Sequence, residues 1–235
     1  MKGLFRKALH FNQDLSGWDV SGVTNMESMF SCAESFNQDL RGWDVSGVTD
    51  MSFMFYNAKS FNRPLSGWDV SAVTGMSFMF QCATSFNQPL SGWDVSAVTD
   101  MTGVFQLAEG FNGDLSGWDV SNDPCMNQMF CNARSFNRPL SSWDVSAVTD
   151  MNHMFSNAHS FNQNLSSWDV SQVKFGDMRY MFYNATSFNQ DLSGWSVSEY
   201  TDTSGMFTGA SSFNNDLSPK LKLIEEFEDS DDFED

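Results

Sequence analysis

Residues 11–35 read Phe11-Asn12-Gln13-Asp14-Leu15-Ser16-Gly17-Trp18-Asp19-Val20-Ser21-Gly22-Val23-Thr24-Asn25-Met26-Glu27-Ser28-Met29-Phe30-Ser31-Cys32-Ala33-Glu34-Ser35. The phrase then begins again. Phe followed by Asn stands at Phe11, Phe36, Phe61, Phe86, Phe111, Phe136, Phe161, Phe188 and Phe213, with every interval 25 residues except one of 27. A unit this short cannot bury a hydrophobic face alone. Copies must stack and supply one another's core, so the period predicts a repeat solenoid.

Within the unit, Leu15, Trp18 and Val20 follow the spacing L-x-x-L-x-L of a leucine-rich repeat, which predicts a short strand with Trp18 and Val20 inward. Asp19, between them, then points outward. The second half changes period: Met26, Met29, Phe30 and Ala33 stand at i, i+3, i+4 and i+7, the apolar stripe of a short α or 3₁₀ helix. Thr24 is placed as its N-cap and Glu27 completes a capping box, while Asp50 and Asp100 stand in the first turn of their copies. The expected architecture is leucine-rich-repeat-like, one short strand plus one short helix per coil, with about eight full coils and partial ends. Residues 1–10 form an N-terminal half-repeat, 11–217 the repeats, and 218–235 a C-terminal cap and acidic tail.

Three local departures carry expectations of their own. Two extra residues near Lys174-Phe175-Gly176-Asp177 read as a surface bulge, and Pro124 suits an early helix position that needs no amide donor. After Pro219, Leu221, Leu223, Ile224 and Phe227 could cover the last coil, followed by a charge run expected to lack order.

With 12 basic against 30 acidic residues the net charge is −18. That balance argues against nucleic acid, because phosphate contacts need Lys and Arg. A basic partner, a cation or simple solubility are the remaining readings. No segment approaches the roughly 18 apolar residues of a membrane span. The first ten residues lack the apolar run of a signal peptide, and Phe5 and Ala8 already occupy repeat positions. Cys32 and Cys82 stand two coils apart and Cys125 and Cys131 six residues apart, spacings that predict free thiols.

Stacking turns every repeat position into a column with steps of about 4.8 Å. Asn12, Asn37, Asn62, Asn87, Asn112, Asn137, Asn162, Asn189 and Asn214 are expected to form a structural ladder that satisfies backbone groups of adjoining coils. The Trp column reads as stacked core aromatics. Asp19, Asp44, Asp69, Asp94, Asp119, Asp144 and Asp169 occupy the outward position in seven successive coils, and like charges at this spacing need compensation. Bonds from nearby Ser, recognition of a basic partner, and calcium between coils are three ways to supply it. Where the copies disagree, Phe53 and Phe78 replace Ser28, Tyr56 lies one turn beyond Phe53, and Tyr180 and Tyr183 repeat the arrangement. These are candidate contact residues on the outer face.

Catalysis has little to stand on: His10, His153 and His159 are isolated, and no nucleophile has a plausible base beside it. No metal-ligand spacing and no cofactor motif is recognisable. Asn164-Leu165-Ser166 and Asn184-Ala185-Thr186 match the glycosylation sequon, which is weak evidence in a chain rich in Asn and Ser.

The recurring phrase Phe-Asn-x-x-Leu-Ser-x-Trp-Asp-Val-Ser-x-Val-Thr-x-Met-x-x-Met-Phe-x-x-Ala closely resembles the repeat of BspA-family leucine-rich-repeat surface proteins, over residues 4 to about 217. The resemblance implies a leucine-rich-repeat-like solenoid and non-enzymatic protein binding or adhesion at a cell surface. It implies no catalytic residues. A structural subunit held permanently in a larger assembly or coat is the alternative function, and a calcium-binding solenoid a more distant one.

Overall fold

The computed structural model describes residues 1–122, 125–173, 177–215 and 217. Pro124, Lys174–Gly176 and the segment from Ser218 onward, on which the expected helix position, bulge and cap fall, lie outside the described residues. Long-range hydrogen bonds recur at an offset of about one copy. Isolated parallel bridges join Asn25 to Asp50, Asp50 to Gly75, Gly75 to Asp100 and Asp100 to Cys125, and later Asp177 to Asp202 and Leu192 to Leu217. Each copy is therefore one coil of a stack, lying directly on the next.

The expected strand and helix do not form among the described residues of the coils. Among the described residues the chain forms neither a helix nor an extended strand, only turns and single bridges. The coil of residues 11–35 is a succession of four-residue turns, closed by Trp18 N–H to Leu15 C=O, Val23 to Val20, Met29 to Met26, Ala33 to Phe30, and Phe36 to Ala33 at 2.9–3.1 Å. The physical reason is that a four-residue turn also brings residues i and i+3 to one side. Met26, Met29, Phe30 and Ala33 all face inward and are fully buried, as a helix would have placed them, but by a different backbone path. A helix would spend its amides within the coil. Here Met26, Ser28, Phe30 and Cys32 donate instead to the carbonyls of Asp50, Ser52, Met54 and Tyr56 in the next coil, at 2.7–2.9 Å.

The turns at Glu27-Ser28 and Ser31-Cys32 have positive φ at their third residue, 58° at Ser28 and 59° at Cys32, the signature of type II. The capping expectation changes accordingly. Asn25 Oδ1 accepts the Glu27 amide at 2.9 Å, and Asp50 and Asp100 do the same for Ser52 and Thr102. These are Asx turns. Thr49, at the position expected to cap a helix, donates its hydroxyl to the Thr24 carbonyl of the coil before.

The core is a set of parallel ring columns. Phe30 and Phe36 stack 4.1 Å apart within one coil, and Phe30 lies 5.6 Å from Phe55 and Phe36 5.9 Å from Phe61 in the next. Indole rings continue the pattern, with Trp68, Trp93, Trp118 and Trp143 within 4° of parallel at 6.2–6.5 Å. From Trp43 to Trp195 each indole N–H reaches the Leu carbonyl of the preceding coil, as from Trp93 to Leu65 at 2.9 Å. A buried Trp needs such an acceptor. Trp18 is 39% exposed, whereas the other seven indoles are buried.

Candidate functional site

Asp19, Asp44, Asp69, Asp94, Asp119, Asp144 and Asp169 are all exposed along one edge of the stack. Each accepts, through Oδ1, the amide of the Ser two residues on; for Asp69 this bond is 3.0 Å, with the Ser71 hydroxyl at 2.6 Å. In the column as a whole the amide bonds span 3.0–3.1 Å. Bonds from the Ser hydroxyl and amide hold Asp19, Asp44, Asp69, Asp119 and Asp144 below the ordinary carboxylate range. In Asp169 the Ser171 amide contributes most. Neighbouring carboxylates push the other way, as Asp69 and Asp19 do on Asp44, but by less than the serines. These six carboxylates are therefore favoured in the ionised form, and the edge carries a row of negative charge.

The Asn column forms continuous links. Asn12 Oδ1 accepts the Asn37 amide at 2.9 Å, and the pattern passes through Asn62, Asn87, Asn112, Asn137, Asn162 and Asn189 to Asn214 at 2.8–3.1 Å. In several coils a Gln amide joins, such as Gln163 Nε2 on Asn137 Oδ1 at 2.8 Å.

The variable positions sit in the tandem turns. Ser28, Phe53, Phe78, His153 and Tyr180 share one column, and every one has positive φ, between 52° and 58°. Gly3, Gly103 and Gly205 occupy the same column with positive φ. The sequence places these residues together on the outer face of a helix; the backbone that carries them is a pair of tandem turns instead. Ser28 is buried, and Phe53 and Phe78 are half-buried. A left-handed residue in a type II turn directs its side chain along the stack, so each ring lies on its neighbour. Phe53 stacks on Phe78 at 5.1 Å and meets Tyr56 edge-on at 6.1 Å. The Phe78 ring in turn covers Gly103, where an added Cβ would come within 2.5 Å of it.

A second group has the same construction four coils on. His153 stacks on Tyr180 at 4.9 Å, Tyr183 meets Tyr180 edge-on at 5.7 Å, and Tyr180 covers Gly205 as Phe78 covers Gly103. Tyr180 is exposed and Tyr183 half-buried. Beside them Arg179 pairs with Asp177 and stands 3.5 Å from Asp202. Burial lowers the His153 imidazole below its ordinary value. Sequence reasoning set His153 aside as isolated and did not single out the two glycines. The signal for all three was their phase, 25 or 27 residues from an aromatic residue of the same column.

Among the described residues no three or more His, Cys, Asp or Glu side chains come together in a way that could hold a metal ion. All four cysteines are free thiols, and burial raises the pKa of Cys82 and Cys131. Among the described residues no helix is long and apolar enough to cross a membrane.

No curated protein matches the chain. The repeat itself does find a match, to a family described as "Mycoplasma protein of unknown function, DUF285", over residues 1–81, 38–138, 64–158 and 124–221. These four overlapping stretches follow the repeats from the first coil to the last, and the chain is a repeat protein that belongs to the DUF285 family.

Proposed function

We propose that this chain is a non-enzymatic protein-binding module, a leucine-rich-repeat-like solenoid of the BspA type, which takes its partner on the tandem-turn face. Phe53, Tyr56 and Phe78 form one contact, and Tyr180 and Tyr183 with His153 form the other. The observation that carries this reading is the placement of large rings at backbone positions with positive φ. Bulky residues are outliers there and strain the backbone by about 1–3 kcal/mol each. The fold does not require them, since Gly3, Gly103 and Gly205 fill the same column without that strain. Strain retained against an available alternative points to use.

The Asp edge supports a partner with basic groups, because its carboxylates are exposed and six of them are favoured in the ionised form. Adhesion at a cell surface is what the BspA resemblance adds to this reading. The test is capture of proteins from the source cell on immobilised chain, comparing the unsubstituted protein with Phe53→Ser/Phe78→Ser. Ser is the residue the stack itself carries at Ser28, so the double variant keeps its melting temperature within a few degrees. It is expected to lose the captured partner. Equal capture by both proteins, or capture of nothing by either, defeats the reading.

A further inference from the structure

The rings of the tandem-turn face are arranged symmetrically about one step of the stack, the step between Gly103 and Gln128. Counted outward from it, the second and third coils carry rings in both directions: Phe78 and Phe53 on one side, His153 and Tyr180 on the other. In each group the inner ring stacks on the outer one, at 5.1 Å and 4.9 Å. A tyrosine of the neighbouring column stands edge-on to the outer ring in both, Tyr56 to Phe53 and Tyr183 to Tyr180. A group merely repeated along the stack would put the second tyrosine beside His153. That position is Ser156, so the second group is the first in reversed order.

Stacking alone does not ask for this reversal, since the coils follow one another in one direction. A two-fold axis does. When two copies lie face to face and antiparallel, an axis at the Gly103–Gln128 step, crossing the stack within the face, keeps each column opposite itself and reverses the order of the coils. Phe53 then meets Tyr180, Phe78 meets His153 and Tyr56 meets Tyr183, twice over. A parallel pair would set each group against its own duplicate and leave the reversed order without a purpose.

Charge along the border of the face agrees. Asn57 Nδ2 donates to Glu34 Oε1 at 3.0 Å, which ties the column of Glu34, Lys59, Glu109 and Arg134 to the turns. Glu109 and Arg134 occupy the first coils on either side of the axis, so each would face the opposite charge of the other copy. Within one chain they stand 3.8 Å apart with side chains 47% and 55% exposed, a pair that solvent screens. Lys59 meets Thr186, and Arg179, already paired with Asp177, comes level with Asp50.

From this reversed order we infer that the partner of the tandem-turn face is a second copy of this chain, in an antiparallel two-fold dimer. The inference rests on the reading of the two ring groups as contacts and names what occupies them. Aromatic residues are the usual anchors of such interfaces. Because the same face is used by both copies, the contact is isologous and closes at two.

Sedimentation velocity of the full chain from micromolar to millimolar concentration is expected to show a monomer that passes to a dimer and grows no further. Phe53→Ser/Phe78→Ser disables one group and Tyr180→Ser/Tyr183→Ser the other, with Ser as the same columns carry it at Ser28 and Ser156. Each variant alone should melt within a few degrees of the unsubstituted chain and dimerise about tenfold more weakly or worse, because every contact needs one group from each copy. Mixed in equal amounts, the two variants recover one intact contact and form a heterodimer stronger than either makes with itself. A mixture no stronger than its separate components overturns the antiparallel pairing, and growth beyond two copies overturns it as well. A monomer at every concentration also defeats the inference; if that monomer still captures another protein through Phe53 and Phe78, the ring groups remain contacts and only their occupant was misassigned.

Discussion

The two halves of a coil are held to their neighbours by different chemistry. From Phe11 to Val20, side chains make much of the connection between coils: Asn side-chain oxygens that accept backbone amides and indole N–H groups that donate to Leu carbonyls. From Met26 to Cys32 the backbone bonds directly to the backbone of the next coil. Where side chains carry the bonds, their identity is constrained, and the letters Phe, Asn, Leu, Trp and Val hardly change. Where the backbone carries them, outward residues are released from that duty. The column of Ser28 accordingly runs through Phe, Gly, Gln, His and Tyr. Variation is thus concentrated at the outward positions of the second half, beside the fixed core residues Met26, Met29, Phe30 and Ala33.

Substitutions sharpen this contrast. Trp93→Ala removes a ring stacked between Trp68 and Trp118 and a bond to Leu65, and should cost about 3–5 kcal/mol in chemical denaturation. Asn137→Ala deletes two accepted bonds, from the Asn162 amide and Gln163, for about 1–2 kcal/mol. Ser28→Gly, by contrast, falls in the half that bonds through its backbone, at φ 58°. It relieves a left-handed residue, offset by greater freedom in the unfolded chain, so the net change stays within about 1 kcal/mol and is neutral or stabilising. Should Ser28→Gly cost as much as Asn137→Ala in the same denaturation series, the division between the halves is wrong.

How far these features were legible beforehand depended on which physical signal encoded them. The inward phase of Met26, Met29, Phe30 and Ala33 is written in their spacing, and these residues are buried. The backbone path was not written there, because i and i+3 return to the same side in a helix and in a four-residue turn alike. What distinguishes the two is φ at Ser28 and Cys32, and a Ser or a Cys gives no hint of positive φ. Asn57, Asn132, Asn157 and Asn184, in the Cys32 column with φ of 53–60°, did carry that hint, since Asn tolerates this region better than most residues. The nearness of Phe53 and Phe78 follows from the period. Their half-burial does not, because it depends on the turn laying each ring along the stack.

The opposite directions of the two sets of hydrogen bonds have an electrical consequence. Amides of Met26, Ser28, Phe30 and Cys32 point toward the C-terminal end, whereas those of Ser35, Asn37 and Thr49, with the Trp43 indole, point back toward the N-terminal end. An α-helix aligns its peptide dipoles and gains a positive and a negative pole. This stack sets part of its dipoles against one another in every coil, so the field along its axis grows less with length than in a helix. Charged side chains such as Lys2, Arg6 and Lys7 then weigh more in any polarity between its ends than they would in a helix.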